Sequence, residues 1–384
     1  MFIRYQNKRG VLSHQEFRTP FYIPKNKISE TYLLSFGKLG IITIKESEIM
    51  KKVITFGEVL MRLTTPNFAR FSQSDAFNIN FGGGEANVSS SLAIMGIPAS
   101  HVTVFPDNDL GYAARTTYLK YGVGTEFMQM KGNRLGIYFV ENGAAMRPSK
   151  VIYDRFDSAF ALLNPADFDW ETIFADAQWF HFTGISPAIS ASAAEACLQA
   201  VKVARRMGLT ISADVGYRKN LWQWGKKPSE VMPELISYCD VIICSKGDAN
   251  DMFGITPNDE KGSFKSICQQ ILTQFPQAKF VLNTKRGQIS ASHNTLSGQC
   301  WNGTEMIKTK TIDIPNIVDR IGGGDAFMAG FIYAYITFQD IQKALEYGVA
   351  ASALKHTVEG DFNLATLQEI EMVVKGDVSG KLKR

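Results

Sequence analysis

From Met50 onward, short apolar runs rich in β-branched residues alternate with stretches whose apolar residues recur at helical spacing. One helical stretch ends at Gly208, a residue type that terminates helices. The apolar runs are residues 53–57, 101–105, 177–184, 209–215, 240–244 and 279–284. Such alternation is typical of βαβ units, in which helices cover both faces of a mainly parallel sheet. The pattern predicts an α/β fold that binds ligands at the carboxyl ends of its strands.

Two segments interrupt this alternation, at about residues 60–81 and 134–156. Both are extended, with alternating apolar and polar positions and no crossover helix, so we expect antiparallel strands that project from the main sheet. A small sheet needs one covered face, so it must fold over a ligand or pair with a second subunit. The segments therefore predict a lid, and favour a homo-oligomer formed through it.

Residues 1–49 show no sustained period, and they lack the apolar core and cleavage site of a secretory signal. Met50 directly precedes the first predicted strand. We therefore interpret residues 1–49 as an N-terminal extension, disordered or non-native and without a part in the chemistry, and place one folded domain at residues 50–384. The alternative is a docking arm, for which Phe21, Tyr22 and Ile23 between two prolines give support.

Composition excludes several classes of protein. Hydrophobic residues make up 45% and charged residues 20%, which is typical of a globular protein with a sizeable core. The net charge of +4 includes no sustained basic run, so no nucleic-acid partner is expected, and no apolar run is long enough for a membrane span. Five cysteines, an odd number without a CxxC pair, argue against a disulfide framework and zinc and for a reducing, cytoplasmic compartment. Cys239 and Cys244 flank a short apolar run, so we expect them to be small buried residues.

The strongest chemical signal is a glycine-rich turn at residues 318–336. Gly322, Gly323 and Gly324 directly precede Asp325 and a long apolar stretch. Unpaired amides at the start of a helix, together with its dipole, suit a phosphate group. Asp325 is placed to accept a proton from a hydroxyl that attacks phosphorus. The alternative is a carboxylate that only stabilises the helix.

A second glycine cluster, at residues 82–84, precedes a predicted helix that contains Asn87. A sugar hydroxyl can approach a glycine backbone closely, and an amide side chain both donates and accepts hydrogen bonds. Neither cluster has the form GxxxxGK(S/T), which excludes a P-loop enzyme. The fingerprint GxGxxG is missing after the first strand, which counts against an oxidoreductase.

Together, GGGEAN at 82–87 and DRIGGGD at 319–325 resemble the two motifs of the ribokinase-like, or PfkB-type, carbohydrate kinases. The resemblance covers about residues 50–375. It implies a ribokinase-like three-layer α/β sandwich with a mainly parallel central sheet and a small β lid. It also implies ATP as phosphoryl donor, Mg²⁺, and a monovalent cation such as K⁺, with Asp325 as the general base.

Within that family, GIYFVENG at 136–143, VIYDRF at 151–156 and DVGYRKNLW at 214–222 resemble the kinases of 2-keto-3-deoxygluconate. The resemblance implies that the sugar acid contacts Gly83, Asn87, Tyr138, Tyr153, Arg155 and Arg218. Guanidinium groups can pair with the carboxylate of an anionic substrate, whereas a neutral sugar offers them no charged partner. Two alternatives stay open: a kinase for a neutral sugar such as fructose or ribose, and a catalytically silent sugar- or nucleotide-binding protein.

The nucleotide side carries weaker signals. NTKRG at 283–287 and ALKHTVEGD at 353–361 resemble family loops around ATP, which nominates Thr284, Arg286, Gly287 and His356. The segment SKGD stands where the family usually has Asn-x-x-Glu. The resemblance therefore nominates Ser245 for a contact with ATP and Asp248 for a contact with the metal ion through a water molecule. Gly216 replaces a further family asparagine. Asp319 and the carbonyl of Ile321 match positions that hold a monovalent cation in relatives.

Overall fold

The computed structural model describes residues 50–260 and 263–381, preceded by the backbone of four short strands. The chain divides into two units, Met1–Lys51 and Lys52–Arg384. In the first, β1 (Phe2–Gln6) pairs antiparallel with β2 (Leu12–Glu16), and β3 (Thr31–Ser35) with β4 (Ile41–Lys45).

The division between the units falls beside the boundary predicted at Met50. Phe21, Tyr22 and Ile23, the residues of the alternative docking arm, lie outside the described residues. The interpretation of residues 1–49 as an extension without a part in the chemistry stays a prediction.

The second unit alternates strands and helices. Its described strands are β5 (Lys52–Phe56), β6 (Leu60–Thr64), β7 (Asn78–Gly82), β8 (Ala99–Phe105), β9 (Met128–Met130), β10 (Ile137–Glu141), β11 (Lys150–Asp154), β12 (Ala177–Thr183), β13 (Thr210–Asp214), β14 (Val241–Ile243), β15 (Phe280–Gln288), β16 (Asn294–Trp301), β17 (Met306–Lys308) and β18 (Ile312–Ile314). Its described helices are α1 (Gly84–Ile94), α2 (Asp109–Lys120), α3 (Trp170–Phe174), α4 (Ser186–Ile189), α5 (Ala191–Arg206), α6 (Pro228–Ile236), α7 (Lys246–Phe253), α8 (Phe264–Gln274), α9 (Gly323–Phe338), α10 (Ile341–Lys355) and α11 (Leu367–Val374). None of these helices is long and apolar enough to cross a membrane.

Ten of the described strands form the central sheet, in the order β17-β16-β15-β14-β13-β12-β5-β8-β9, with β18 beside β16. Strands β5, β8, β9 and β12 to β15 are parallel, whereas β16 to β18 form an antiparallel edge. The six apolar runs of the sequence are β5, β8, β12, β13, β14 and β15. The predicted α/β class with a mainly parallel sheet is therefore confirmed.

Helices pack on both faces of this sheet and give the three layers. On one face, α5 buries Ala193, Ala200 and Val201 against Phe180 and Phe182 of β12. On the other face, α9 is buried nearly all round against α10, α1 and the sheet, which explains its unbroken apolar sequence. All five cysteines are free and buried, which confirms the prediction that Cys239 and Cys244 are small buried residues.

A separate four-stranded sheet forms the predicted lid, in the order β11-β10-β6-β7. The hairpins β6–β7 and β10–β11 are antiparallel, as expected, but β6 and β10 pair in parallel, so the prediction of an antiparallel lid was wrong at its centre. Strands β6 and β10 each follow a parallel strand of the main sheet, β5 and β9. Because both leave the same edge of that sheet, they run in the same direction.

Candidate active site

The N-termini of helices α1 and α9 meet at the carboxyl ends of the parallel strands of the central sheet. Helix α9 begins after Gly322, whose φ of 83° favours glycine. Helix α1 begins after Gly83, where a Cβ would lie 2.1 Å from the Glu58 carbonyl oxygen. A Cβ on Gly324 would meet no atom within 4 Å, so this part of the turn faces open space. Glycine is thus required for close packing at the start of both helices, and Gly324 leaves the α9 turn open to a ligand.

A hydrogen bond from helix α1 positions Asp325, which lies in the first turn of α9. The Asn87 Nδ2 atom donates to Asp325 Oδ2 at 2.7 Å, and Asn87 Oδ1 accepts from the Gly83 amide at 3.3 Å. Both polar atoms of the buried Asn87 amide are therefore used within the protein. The structure brings Gly83, Asn87 and Asp325 together, whereas their predicted contacts with a substrate stay predictions. It adds a role for Asn87, which orients the carboxylate.

The environment of Asp325 favours its protonated form. Burial raises the pKa of this carboxyl to about 7, the hydrogen bond from Asn87 opposes the rise, and the charges of Asp214, Glu85 and Asp361 add to it. A general base works best when its pKa lies near the working pH. The carboxylate is therefore suited to take a proton near neutral pH.

Glu85 is a site residue that the sequence reasoning missed. Its buried carboxylate accepts hydrogen bonds from the Thr183 amide at 3.1 Å, the Thr183 hydroxyl at 2.8 Å and the Ser186 hydroxyl at 2.7 Å. Burial raises its pKa above the ordinary value. These bonds fix the start of α1 to the end of β12. The signal was an acid directly after three glycines.

A buried charge cluster, consisting of Arg62, Asp319, Lys355 and Asp361, lies beside the α9 turn. Arg62 of lid strand β6 contacts Asp319 Oδ2 at 2.6 Å and Asp361 Oδ2 at 3.2 Å. Lys355 Nζ donates to the carbonyl oxygen of Asp319 at 3.4 Å. The hydroxyl of Tyr138, on lid strand β10, donates to Asp361. The cluster therefore connects the lid to the turn before α9.

The predicted lid residues lie together, but their partners differ from expectation. Tyr138 is buried, and the half-exposed ring of Tyr153 stacks on it with centroids 5.8 Å apart. Arg155 is buried, with its Nε 2.8 Å from Glu58 Oε2, and its guanidinium lies 5.6 Å from the Tyr153 ring. The proposed anion contact of Arg155 thus competes with a carboxylate that already neutralises it.

Arg218 lies in the exposed loop after β13. Its Nη1 donates to the Tyr217 carbonyl at 3.1 Å, which leaves the rest of the guanidinium at the surface. Burial raises the pKa of nearby Asp214 to about 6, the charge of Arg218 opposes the rise, and Asp248 adds to it. Arg218 therefore lies near Asp214, whose charge also acts on Asp325.

Ser245 and Asp248 form a capping box at the start of α7. Ser245 Oγ accepts from the Asp248 amide at 3.1 Å, and Asp248 Oδ2 accepts from the Ser245 amide at 2.9 Å. Asp248 Oδ1 accepts from the Tyr217 amide at 2.9 Å. The spacing S-x-x-D therefore has a structural explanation that was visible in the sequence. Within the described parts of the chain, no cluster of three or more His, Cys, Asp or Glu side chains has the arrangement of a metal site.

Three of the residues predicted to contact ATP lie on a strand of the central sheet. Thr284, Arg286 and Gly287 lie on β15 and pair with Gly298, Leu296 and Thr295 of β16, so the expectation of a loop there was wrong. The strand continues past the sheet edge because β16 returns beside it as a hairpin. Their predicted contacts with the nucleotide stay predictions.

His356 is fully buried behind the first turn of α9. Its Nδ1 donates to the Ser352 carbonyl at 2.6 Å, and a Cβ on Gly323 would lie 2.8 Å from its ring. Burial lowers the pKa of His356 to about 4, an effect that the charges of Arg286, Lys355 and Arg320 enhance. The neutral ring thus supports the turn, and a direct contact with adenine stays a prediction.

The profile of the pfkB family carbohydrate kinases matches residues 50–366. The chain belongs to this family. The Thermotoga maritima 2-dehydro-3-deoxygluconokinase structure is 39% identical, with a TM-score of 0.80 over 85% of this chain and 100% of that one. The structure of a putative 2-keto-3-deoxygluconate kinase from Enterococcus faecalis is 27% identical, with a TM-score of 0.80 over 87% and 99% of the chains.

A curated relative, the 2-dehydro-3-deoxygalactonokinase of Haloferax volcanii, is 29% identical over 86% of this chain and 98% of its own length. The resemblance seen in GGGEAN and DRIGGGD is therefore confirmed: this pfkB family member is a carbohydrate kinase with the ribokinase-like fold. Its similarity to kinases of both gluconate- and galactonate-derived acids leaves the sugar configuration open.

Proposed function

We propose that this kinase transfers the γ-phosphoryl group of ATP to the terminal hydroxyl of 2-keto-3-deoxygluconate and forms 2-keto-3-deoxy-6-phosphogluconate. The observation that carries the proposal is the Asp325 carboxylate, held by Asn87 where the N-termini of α1 and α9 meet. The kinases of 2-dehydro-3-deoxy sugar acids among its relatives support the choice of substrate.

Asp325 accepts the proton of the terminal hydroxyl while the hydroxyl oxygen forms a bond to the γ-phosphorus. The bond from that phosphorus to the β–γ bridging oxygen breaks, and ADP leaves with the electron pair. The amides of Gly322 and Gly324 donate to the oxygens of the transferring group, whereas the Gly323 amide already donates to the Arg320 carbonyl at 3.3 Å. Closure of the lid over the sugar acid excludes water, which strengthens these interactions.

Two positively charged side chains, Arg286 and Arg320, are candidates to bind the nucleotide phosphates. Burial and the charge of Arg320 lower the pKa of Arg286, which means that two like charges lie close together. Among the described residues, no acidic side chain offsets the charge of Arg286. An anion between these guanidinium groups would relieve their repulsion. This supports phosphate binding by Arg286.

The carboxylates of Asp214 and Asp248 are candidates to bind the divalent metal ion. The charge of Asp248 contributes to the raised pKa of Asp214, so the two carboxylates repel each other. A cation near them, contacted directly or through water, would relieve that repulsion. Mg²⁺ bound there would neutralise charge on the ATP phosphates. Asp214 suits direct contact with this ion, whereas both carboxylate oxygens of Asp248 accept backbone amides, so Asp248 would act through a bound water.

Arg218 is the guanidinium best placed for the carboxylate of the sugar acid, because Arg155 is held by Glu58. We expect the purified protein to release ADP with 2-keto-3-deoxygluconate, and Arg218→Gln to raise KM for this acid by about 10- to 100-fold, the loss of one charged hydrogen bond. Initial rates in an ADP-release assay check both. Lys219→Gln, at the exposed neighbour, is the matched control.

The same assay with other acceptors separates the alternatives. The galactonate-derived acid tests the configuration of the sugar. Turnover of fructose or ribose alone would retain the kinase but remove the role of Arg218. Binding of the acid without ADP release would indicate a catalytically silent binding protein.

The lid also supports a homo-oligomer. Ile152, Phe139, Leu63 and Ile79 are successive cross-strand neighbours, so they form one apolar row across all four strands. Ile79 is 60% exposed and Ile152 is 54% exposed, at the two edge strands. The opposite face, with Tyr138 and Arg62, points to the charge cluster. A second copy is the partner whose lid presents the same apolar row.

We therefore expect a dimer in solution that the double variant Ile79→Glu, Ile152→Glu converts to a monomer. Light scattering during size-exclusion chromatography measures the mass directly. Leu162→Glu is the control, because Leu162 is 69% exposed but lies outside the lid. A monomeric wild type, or a variant that stays dimeric, would refute the interface.

A further inference from the structure

A lysine ammonium lies buried beside the turn that leads into α9. Lys355, the last residue of α10, is fully buried, and its Nζ donates to the Val358 carbonyl at 2.8 Å and the Asp319 carbonyl at 3.4 Å. Its Cε lies 3.2 Å from the position of a Cβ on Gly322. Main-chain carbonyls are also the ligands by which proteins bind dehydrated monovalent cations. The ammonium thus occupies an environment suited to such an ion.

The carboxylates of the charge cluster already have protein partners. Asp319 Oδ1 accepts from the Ile321 amide at 3.0 Å, and Asp319 Oδ2 accepts from Arg62 at 2.6 Å and the Gly360 amide at 3.1 Å. Asp361 accepts from Arg62 and from the Tyr138 hydroxyl. Asp319 therefore has little capacity left for a bound ion.

Charge balance leads to the same conclusion. Arg62 and Lys355 contribute two positive charges, and Asp319 and Asp361 contribute two negative charges, so the cluster is neutral. Burial lowers the pKa of Lys355, and the charges of Asp319 and Asp361 oppose that effect. A further cation would bring an uncompensated charge into a site from which water is excluded, which is strongly unfavourable.

Asp319 and the Ile321 carbonyl match the positions of a monovalent cation in relatives, but the residues around them do not fit one. We propose that the Lys355 ammonium replaces this ion: it holds residues 319–322 in place, and the kinase consequently works without potassium. A covalently attached ammonium supplies the same fixed positive charge beside the phosphate-binding turn. Lys355 is thus a positioning residue.

The test compares the wild type, Lys355→Met and the control Lys343→Met in potassium, ammonium, sodium and choline chloride at equal ionic strength. Lys343 lies on the same helix but is exposed, with its Nζ over the Phe338 ring. One readout is the melting temperature of the ligand-free protein. The other is the rate of ADP formation, followed by chromatography because the usual coupling enzyme, pyruvate kinase, itself needs potassium.

We expect the wild type and Lys343→Met to give the same melting temperature and rate in all four salts. Lys355→Met should lose about 10- to 100-fold in rate in choline, corresponding to lost charged hydrogen bonds. Potassium or ammonium should restore part of that rate and raise its melting temperature, because either ion can enter the vacated position. A merely structural role of Lys355 would give no such ion-specific recovery.

The proposal would be overturned by a wild type that potassium stabilises or activates strongly over choline, or by a Lys355→Met protein with normal activity in every salt. If Lys355→Met does not fold, the wild-type series in four salts still decides whether potassium is needed. The rate readout rests on the proposed phosphoryl transfer, whereas the melting temperatures do not. Absence of any kinase activity would therefore leave the salt dependence of stability as an independent test.

Discussion

Replacing Asp325 with asparagine is expected to lower kcat by about 10²- to 10⁴-fold, the usual contribution of a general base. The substitution preserves shape, and an amide oxygen can still accept the 2.7 Å hydrogen bond from Asn87. It removes the only function that the mechanism asks of this group, which is to accept a proton. KM for the sugar acid should therefore change little while kcat collapses.

Steady-state kinetics of Asp325→Asn, with Asp176→Asn as a control at an exposed carboxylate, measures this effect. The wild-type rate should also rise with pH through about 7, the pKa of Asp325, and then level off. Near-normal turnover of the variant, or a rate independent of pH across this range, would remove Asp325 from its proposed role.

The raised pKa of Asp325 also affects the stability of the fold, which should fall as the pH rises, whereas the rate should rise. Between the ordinary pKa of 3.8 and about 7, the folded protein keeps a proton on Asp325 that the unfolded chain has released, so stability falls as the pH rises through this window. The difference of about three pH units corresponds to roughly 4 kcal/mol at most. Asp325→Asn should therefore be more stable than the wild type at pH 8 but not at pH 4, as urea denaturation at both values would measure.

Features that depend on neighbouring residues were predictable from the sequence. The six β-branched runs became strands of the central sheet, and a helix begins in the glycine-rich turn before Asp325, as expected. The capping box of Ser245 and Asp248 was visible too, although its residue spacing was interpreted as a ligand contact. Local patterns identify an element more reliably than they distinguish a structural from a functional use of its residues.

Pairings between distant residues could not be predicted in the same way. Asn87 and Asp325 are 238 positions apart, and Arg62 and Asp319 are 257 apart. Nothing in the sequence near Arg62 indicates that the fold of the lid places it against the turn before α9. The ion pair of Arg155 with Glu58, 97 positions earlier, was missed for the same reason, because a motif shows which residues are present but not which partners they find.

Replacing Arg62 with methionine is expected to lower the free energy of unfolding by about 3–5 kcal/mol, the cost of breaking a buried ion pair by removing one partner. Arg62 is fully buried and contacts Asp319 at 2.6 Å and Asp361 at 3.2 Å. Without it, two buried carboxylates would face the single ammonium of Lys355. Chemical denaturation at neutral pH measures the loss.

An exposed ion pair provides the contrast. Lys202 and Glu234 lie 3.2 Å apart with side chains 48% and 56% exposed, so Lys202→Met should change stability by less than about 1 kcal/mol. Adding Asp361→Asn to Arg62→Met should recover part of the loss, because one unpaired charge is removed, and the double-mutant cycle gives the coupling directly. A loss for Arg62→Met no larger than that of the exposed lysine would mean that water or protonation compensates the carboxylates. The lid would then not be tied to the turn before α9 by charge, and its closure over the proposed sugar acid would depend on the stacked tyrosines.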